Sequence, residues 1–413
     1  MNSPRQHRSI DIVAKITERC NLACTYCYFF FGGDETWLRH SAVMKPDTIE
    51  ALARFLAQGA RELELDDIFL GLHGGEPLLM KKPAFDAMCS RLRQGLPDHT
   101  RLYLGVQTNG MLIDDDWIDL FQKHGVSVGI SLDGPAAIND KARIDKKGNG
   151  SHARVIKGLR IAQQAAREGR IAAPGCLCVI DPDQEPETIF DHLIGELGFA
   201  SLDFLLPREG HDTTMPIDAA KWRSFMRRLV AHWTDPATPD VHMRILSEPL
   251  TGMIADEGVA WRDMRLGNRH NIITVTSDGE LGPDDNLKGQ DLRFQETGMT
   301  VANTSLRDFV SSPLWKEIVR GADTIPARCA NCDWQRICGG GEIFNRYGRA
   351  SGFNRESVFC DALDEAYLAL AQYAVDHGIP TSEIATRLSG VRTHWARDFM
   401  DHAPAAVTNG TPT

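Results

Sequence analysis

At 413 residues, 42% of them apolar and 24% charged, the chain has enough material for a large core and about two to three domains. Its net charge of −11 argues against nonspecific nucleic-acid binding, which draws on basic surface. No apolar run approaches the ~20 residues that span a bilayer, and Met1 to Ser9 is polar with no signal-peptide core, so a cytoplasmic protein that makes no use of a membrane is expected.

In such a compartment thiols stay reduced, and clustered cysteines favour metal over disulfides. Three of the ten cysteines sit in one loop, Cys20-Asn21-Leu22-Ala23-Cys24-Thr25-Tyr26-Cys27, directly after the strand-like run Ile12–Ile16. Three thiolates can hold a four-iron cluster and leave one iron without a protein ligand, whereas a closed cluster takes four. The loop therefore offers a place for a substrate or cofactor. Its C-x2-C step is also a common zinc half-site.

From residue 11 to 207 apolar strand candidates alternate with amphipathic stretches. The strands are Ile12–Ile16, Asp67–Leu72, Leu102–Gln107, Val126–Ser131, Gly175–Ile180 and Ser201–Leu206; the helices include Pro46–Leu63, Asp114–His124, Ala153–Glu168 and Glu187–Leu197. Six such units predict an α/β fold of parallel strands with right-handed crossovers, which an open, partial, TIM-like (β/α)6 barrel fits. Reactive groups then collect at the carboxyl ends of the strands. Gly74-Gly75-Glu76-Pro77 follows the second strand, Gln107-Thr108-Asn109-Gly110 ends the third, and Ser131-Leu132-Asp133-Gly134-Pro135 ends the fourth. The two glycines allow close backbone approach to a ligand, although Gly-Gly-x-Pro is also an ordinary turn. Arg143 offers a guanidinium fork suited to a carboxylate, or is a solvated surface charge.

Residues 208–270 read as a helical bridge with an amphipathic Trp222–Trp233 segment. Residues 271–370 form a second cysteine-bearing region: Cys329, Cys332 and Cys338 in a C-x2-C-x5-C pattern, then Cys360 22 residues on. Four thiolates complete one cluster or one zinc site with no open position. Residues 371–413 are expected to hold a C-terminal helix and, after about Arg397, a disordered tail. Cys89 is left over, and Cys176 and Cys178, on one face of a buried strand, read as small core residues; His73 is expected to pack at a strand end, and His211 is a candidate for the cavity.

The C-x3-C-x2-C loop, with Tyr26 before its last cysteine, resembles the signature of the radical S-adenosylmethionine (SAM) superfamily. The resemblance implies a SAM-binding [4Fe-4S] cluster on Cys20, Cys24 and Cys27 and cleavage of SAM to a 5′-deoxyadenosyl radical. It also implies that Gly74, Gly75, Glu76 and Pro77 hold the SAM amino group. Gln107, Asn109, Ser131 and Asp133 would line the SAM and substrate cavity, with Ser131 near the ribose, Arg143 pairing with the SAM carboxylate and Tyr26 stacking on adenine. The second cysteine set resembles the small, Fe–S-binding SPASM domain at the C-terminus of radical SAM peptide-modifying enzymes, which implies an auxiliary [4Fe-4S] cluster on Cys329, Cys332, Cys338 and Cys360. Two departures stand out: Glu342 replaces a cysteine, and Ile272–Asn286 carries none, with Asp284-Asp285 in place of a cysteine and an aspartate. The auxiliary cluster nearer the substrate is therefore expected to be lost. Asp285 matches the general base of the sulfatase-maturating branch; Asp284 and Glu342 are further candidates, and an acidic turn is the plain alternative.

The aromatic extension Tyr28–His40 looks like the branch that matures ribosomally made precursor peptides by joining an aromatic ring to a neighbouring Cβ, a cyclophane. A formylglycine-forming sulfatase-maturating enzyme or a thioether-forming maturase is the alternative; a zinc-stabilised peptide-binding protein is the non-enzymatic one. The implied partners are the precursor peptide and an electron donor such as flavodoxin or ferredoxin. With no separate leader-binding domain before the barrel, recognition is expected to use the bridge, the second region or another protein.

Overall fold

A computed structural model describes residues 7–33, 35–213, 215–255 and 272–389. Six parallel strands run in sequence order through one sheet: β1 (Ser9–Thr17), β2 (Asp67–Gly74), β3 (Arg101–Thr108), β4 (Val126–Ser131), β5 (Gly175–Val179) and β6 (Leu202–Leu205). Each contains or overlaps the strand expected from its apolar run. Two further strands extend the sheet past β1: β7 (Ile272–Val275), parallel to β1, and β8 (Leu281–Gly282), antiparallel to β7. The start of the second cysteine-bearing region is thus built into the barrel sheet.

The connecting helices start and stop where local chemistry directs. Pro46–Glu62 opens with proline and Asp47 and closes with Arg61, each at the end that suits its backbone or charge. Asp115–His124 is capped by Asp114, whose carboxylate accepts from the Trp117 amide at 2.9 Å, and ends at Gly125 in the left-handed region, φ 59°. Glu187–Leu197, expected as one helix, is a short α-helix Pro186–Phe190 that continues as a π-turn over Asp191–Glu196.

Strand residues alternate between two destinations. Ile10, Ile12, Ala14 and Ile16 of β1, Ile68, Leu70 and Leu72 of β2, and Leu102, Leu104 and Val106 of β3 are buried in the core under the helices. Asp11 and Val13, Phe69, Gly71 and His73, Tyr103, Gly105 and Gln107 alternate with these and line an internal cavity, which Ile12, Leu70 and Leu104 also border. A parallel sheet packed on both faces reads as continuous apolar runs; here the second face is a hollow, so the pattern has period two. Gly71 lies in register with Gly105, and Gly129 with Gly175, which thins the inner layer and widens the hollow.

After β6, helices Ala219–Trp233 and Arg244–Ile254 form the described part of the bridge. The long helix Cys360–Asp376 packs back on both, with Arg223–Asp361 at 2.8 Å and Arg227–Glu365 at 3.3 Å along the first contact. Leu287, Phe294, Ile318, Phe344, Tyr347 and Phe353 make a separate small core in the C-terminal region. The remainder of the bridge, from 256, and the tail expected to be disordered lie outside the described residues. Among the described residues no helix is long and apolar enough to cross a membrane.

Candidate active site

The three-cysteine loop leaves β1 at the carboxyl end of the sheet and is pinned by backbone bonds from Ala23 to Ile144 (2.8 Å) and from Thr25 to Ala142 (3.0 Å). Cys20, Cys24 and Cys27 all face the cavity, as free, half-buried thiols. Burial pushes the Cys20 thiol up to about 12, against the opposing Leu22 amide, which donates to its sulfur at 3.3 Å; burial raises Cys24 as well. Such thiols give up their protons on binding a metal cation, which replaces the proton on sulfur, and soft thiolates select iron–sulfur clusters or zinc.

The Gly74–Pro77 turn packs on the backbone that feeds this loop. The amide of Gly75 donates to Thr17 O (3.1 Å) and that of Glu76 to Arg19 O (2.8 Å). A Cβ on Gly74, at φ +137°, would stand 2.0 Å from Thr17 O, and one on Gly75 would stand 2.4 Å from Arg19 O. These glycines therefore allow two chain segments to touch, in addition to lining the cavity. Gly75→Ala is expected to displace the cysteine loop and to lower iron bound at the first site by more than half, read by iron and sulfide analysis beside the wild type. Full iron occupancy would contradict that role.

Glu76 does not reach the cavity. Its carboxylate is fully buried and accepts from Thr108 Oγ1 (2.7 Å), the Asn109 amide (2.8 Å) and the Leu78 amide (2.9 Å). Burial raises its carboxyl, and these three donors oppose the shift. Pro77 is buried beside it. Asn109 in turn donates from Nδ2 to Asn21 Oδ1 at 2.7 Å inside the cysteine loop. Gln107 Nε2 donates to Ser131 Oγ (2.8 Å), and both side chains line the cavity.

Tyr26 joins the loop to the end of β4. Its hydroxyl donates to Asp133 Oδ2 (2.5 Å) and accepts from Arg143 Nη1 (2.7 Å), while 40% of the residue stays exposed along the cavity. Arg143 is 7% exposed, and its buried Nε has no hydrogen-bond partner. A buried guanidinium with a spare donor on a cavity wall suits an anionic group such as a carboxylate.

Two residues that the sequence reading passed over, Lys15 behind the wall and Arg208 on it, complete this side of the cavity. Lys15, inward on β1 and fully buried, pairs with Asp285 and donates to the Tyr28 hydroxyl at 3.1 Å; that hydroxyl donates to Asp285 Oδ2 at 2.6 Å. Arg208, on the loop after β6, lies 3.1 Å over the Tyr28 ring. A lysine inside an apolar strand was the available signal. Burial, then the Lys15 charge, pushes His73 down to about 3, so it stands neutral in this group.

The second cysteine set is gathered by short elements. Cys329 closes the turn Ala327–Cys329, Cys338 ends the helix Gln335–Cys338, and Cys360 opens its long helix. The thiols perturb one another: burial, then Cys338, pushes Cys329 up to about 11, and burial with Cys338 pushes Cys360 up to about 12. Cys338 and Glu342 also reach the cavity, a space of about 1910 Å³ that extends to the three-cysteine loop. Among the described residues no three His, Cys, Asp or Glu side chains are arranged to hold a metal ion. The fit to clusters rests on the two thiol donor sets, the first on the cavity and the second reaching it through Cys338. His211 packs away from that wall, its Nε2 2.8 Å from Glu356 O. Cys89, Cys176 and Cys178 are core residues.

Residues 14–189 match the model of the Radical SAM superfamily. Over 367 residues the chain is 21% identical to the cysteine-type anaerobic sulfatase-maturating enzyme of Clostridium novyi (strain NT), covering 86% of this chain and 93% of that one. It is 26% identical over 352 residues to the serine-type anaerobic sulfatase-maturating enzyme of Klebsiella aerogenes, covering 82% and 80%. Native anSMEcpe with bound AdoMet and Cp18Cys peptide shares the fold: TM-score 0.72 at 18% identity, over 92% of this chain and 99% of that one. The chain is an enzyme whose residues 14–189 match the Radical SAM superfamily and which is similar over most of its length to the anaerobic sulfatase-maturating enzymes.

Proposed function

We propose that the protein oxidises one residue of a peptide by two electrons, beginning with loss of a hydrogen atom from a side-chain carbon. The observation that carries this reading is the single cavity shared by Cys20, Cys24 and Cys27 at one place and Cys338 at another. Bound SAM and iron–sulfur clusters supply the hydrogen-abstracting radical and a one-electron acceptor. The chain supplies the rest. Cys20, Cys24 and Cys27 hold the first cluster, and Cys329, Cys332, Cys338 and Cys360 the second. Arg143 offers its spare Nε–H to the SAM carboxylate, with Tyr26 and Asp133 fixing its guanidinium. Gln107 and Ser131 present polar groups to the ribose, and the glycine-thinned inner face of the sheet leaves room for a substrate side chain.

The reaction best supported is the sulfatase-maturating one, oxidation of a serine side chain to formylglycine or of a cysteine side chain to a thioaldehyde that water hydrolyses to formylglycine with release of hydrogen sulfide, because the similarity to both types of that enzyme spans most of the chain. Aromatic-ring-to-Cβ crosslinking is the second reading. It is favoured by the cysteine-free Ile272–Asn286 segment and by Glu342, which remove donors for a cluster close to the substrate.

The test is incubation of anaerobically prepared enzyme with SAM, a reductant and the Cp18Cys peptide, and separately with a precursor peptide co-expressed from beside its gene. A new aldehyde that reacts with a hydrazide probe supports the first reading. Loss of two hydrogens at an aromatic residue without hydrazide reactivity supports the second. SAM cleavage with every peptide unchanged would sink both. About eight irons per chain are expected, for two four-iron clusters; zinc in their place would exclude the radical chemistry.

A further inference from the structure

Two adjacent carboxylates on the C-terminal side of the cavity have opposite surroundings. Asp285 is 4% exposed and is not among the cavity-lining residues. Its Oδ2 takes both Lys15 Nζ and the Tyr28 hydroxyl. Asp284 is 5% exposed and lines the cavity. Its Oδ1 accepts from the Asn286 amide at 2.9 Å and starts the turn Asp285–Leu287. Among the described residues no group donates to its other oxygen.

The charges that act on Asp284 are Asp285 and Glu342, both negative, and Arg208, positive. Lys15 and Tyr28 stand behind Asp285, and Arg244 lies 3.9 Å from Glu342. Asp284 thus feels the charge of a group bonded to Tyr28, next to Cys27, and of a group four residues beyond Cys338. Burial, then the Asp285 charge, pushes its carboxyl up to about 7. Burial acts the same way on Asp285, but Lys15 and Arg208 outweigh it and hold that carboxyl well below the usual range. A proton acceptor works best when its affinity lies near the working pH. Asp285 is too weak a base by that measure, and it stands off the cavity lining with one oxygen held by both Lys15 and Tyr28.

Resting on the peptide-oxidation reading, we propose that Asp284 accepts the proton released when the substrate radical is oxidised, and that Asp285 is a positioning residue that holds it on the cavity wall. The substrate carbon has by then lost one hydrogen atom. The carbon radical gives one electron to an iron–sulfur acceptor and one proton to the Asp284 carboxylate. The proton comes from the cysteine thiol or serine hydroxyl, leaving a C=S or C=O bond, or from the ring carbon in crosslinking, which restores the arene. Asp284 then returns the proton to water.

The test compares wild type, Asp284→Asn and Asp285→Asn as loaded enzymes with a peptide that the wild type modifies. Asp284→Asn is expected to form 5′-deoxyadenosine within about threefold of wild type while product falls about 100-fold or more. A second measurement needs no turnover. Infrared titration of the metal-free protein should show a carboxylic acid C=O band that fades around pH 7 and is absent from Asp284→Asn. The folded state holds this proton more tightly than the unfolded chain, so ionising Asp284 costs stability as pH rises from about 4 to about 7. Asp284→Asn should therefore melt above wild type at pH 8 and alongside it below about pH 4. Wild-type product yield from Asp284→Asn, or a titrating band that survives in it, would overturn the proposal alone. A wild-type enzyme that cleaves SAM but alters no peptide would overturn the parent reading, and the proposal with it.

Discussion

Lys15→Met is expected to destabilise the protein by about 3–5 kcal/mol, because it strands the Asp285 carboxylate in a buried site. Lys15 is fully buried and Asp285 nearly so, with relative side-chain exposures of 0% and 6%. Burial alone would push the Lys15 ammonium down; Asp285 and Tyr28 outweigh it and hold the group charged. The same pairing holds Asp285 ionised. Since that carboxyl is depressed below its unfolded value, the stability it lends is complete above about pH 4 and drains away as the pH falls further. Three distant segments meet here: the middle of β1, the residue after Cys27, and the start of the turn after β8. Loss of the pair therefore reaches the cysteine loop through Tyr28, and iron at the first site should fall with stability. Lys15→Met with Asp285→Asn removes both charges and should recover much of the loss. Denaturant unfolding of the four proteins, closed as a double-mutant cycle, measures the coupling. A Lys15→Met protein that unfolds at the wild-type midpoint would show that the pair contributes nothing.

The same pair marks where the sequence stops being legible. The six barrel strands were readable because each carries alternate buried residues, as in Ile10, Ile12, Ala14 and Ile16. The cysteine sets and the strand-end loops were readable because their spacing is local. The partner of Lys15 stands 270 residues away, and no local pattern carries that contact. Asp285 consequently read as a candidate base or an acidic turn, when one of its oxygens is engaged by an ammonium and a phenol. Glu76 read as a ligand-facing residue, whereas its carboxylate ties the Gly74–Pro77 turn to the end of β3. Arg208 was invisible because only the return of the chain after β6 brings it over the Tyr28 ring. The π-turn at Asp191–Glu196 follows from helix packing, which amphipathic periodicity does not encode.

On the two-cluster reading proposed above, Arg346→Met is expected to remove the second cluster while sparing the first. Arg346 is fully buried, and its guanidinium donates to six carbonyls drawn from three segments. Gly321, Ala322 and Thr324 lie at the end of the helix Pro313–Asp323, where the last carbonyls lack partners within the helix and the dipole favours a cation. Gly339 directly follows Cys338, and Phe353 and Arg355 lie on the loop that returns toward Cys360. One side chain thus holds the glycine turn, the helix end and the return loop in a single arrangement, and the four cysteines inherit their spacing from it. Methionine fills the volume but satisfies none of these acceptors; each stranded carbonyl costs about 1–3 kcal/mol, and the local core around Phe294, Phe344 and Tyr347 is small. Lysine keeps the charge, but its three donors cannot reach six carbonyls. Either variant should bind about half of the wild-type iron and lose amide protection across residues 321–360, while β1 to β6 keep theirs, as read by iron analysis and hydrogen exchange. SAM binding should persist, because Arg143, Tyr26 and the first cysteine loop make no contact with this hub. Full iron content in Arg346→Met would show that the four cysteines hold their arrangement without it.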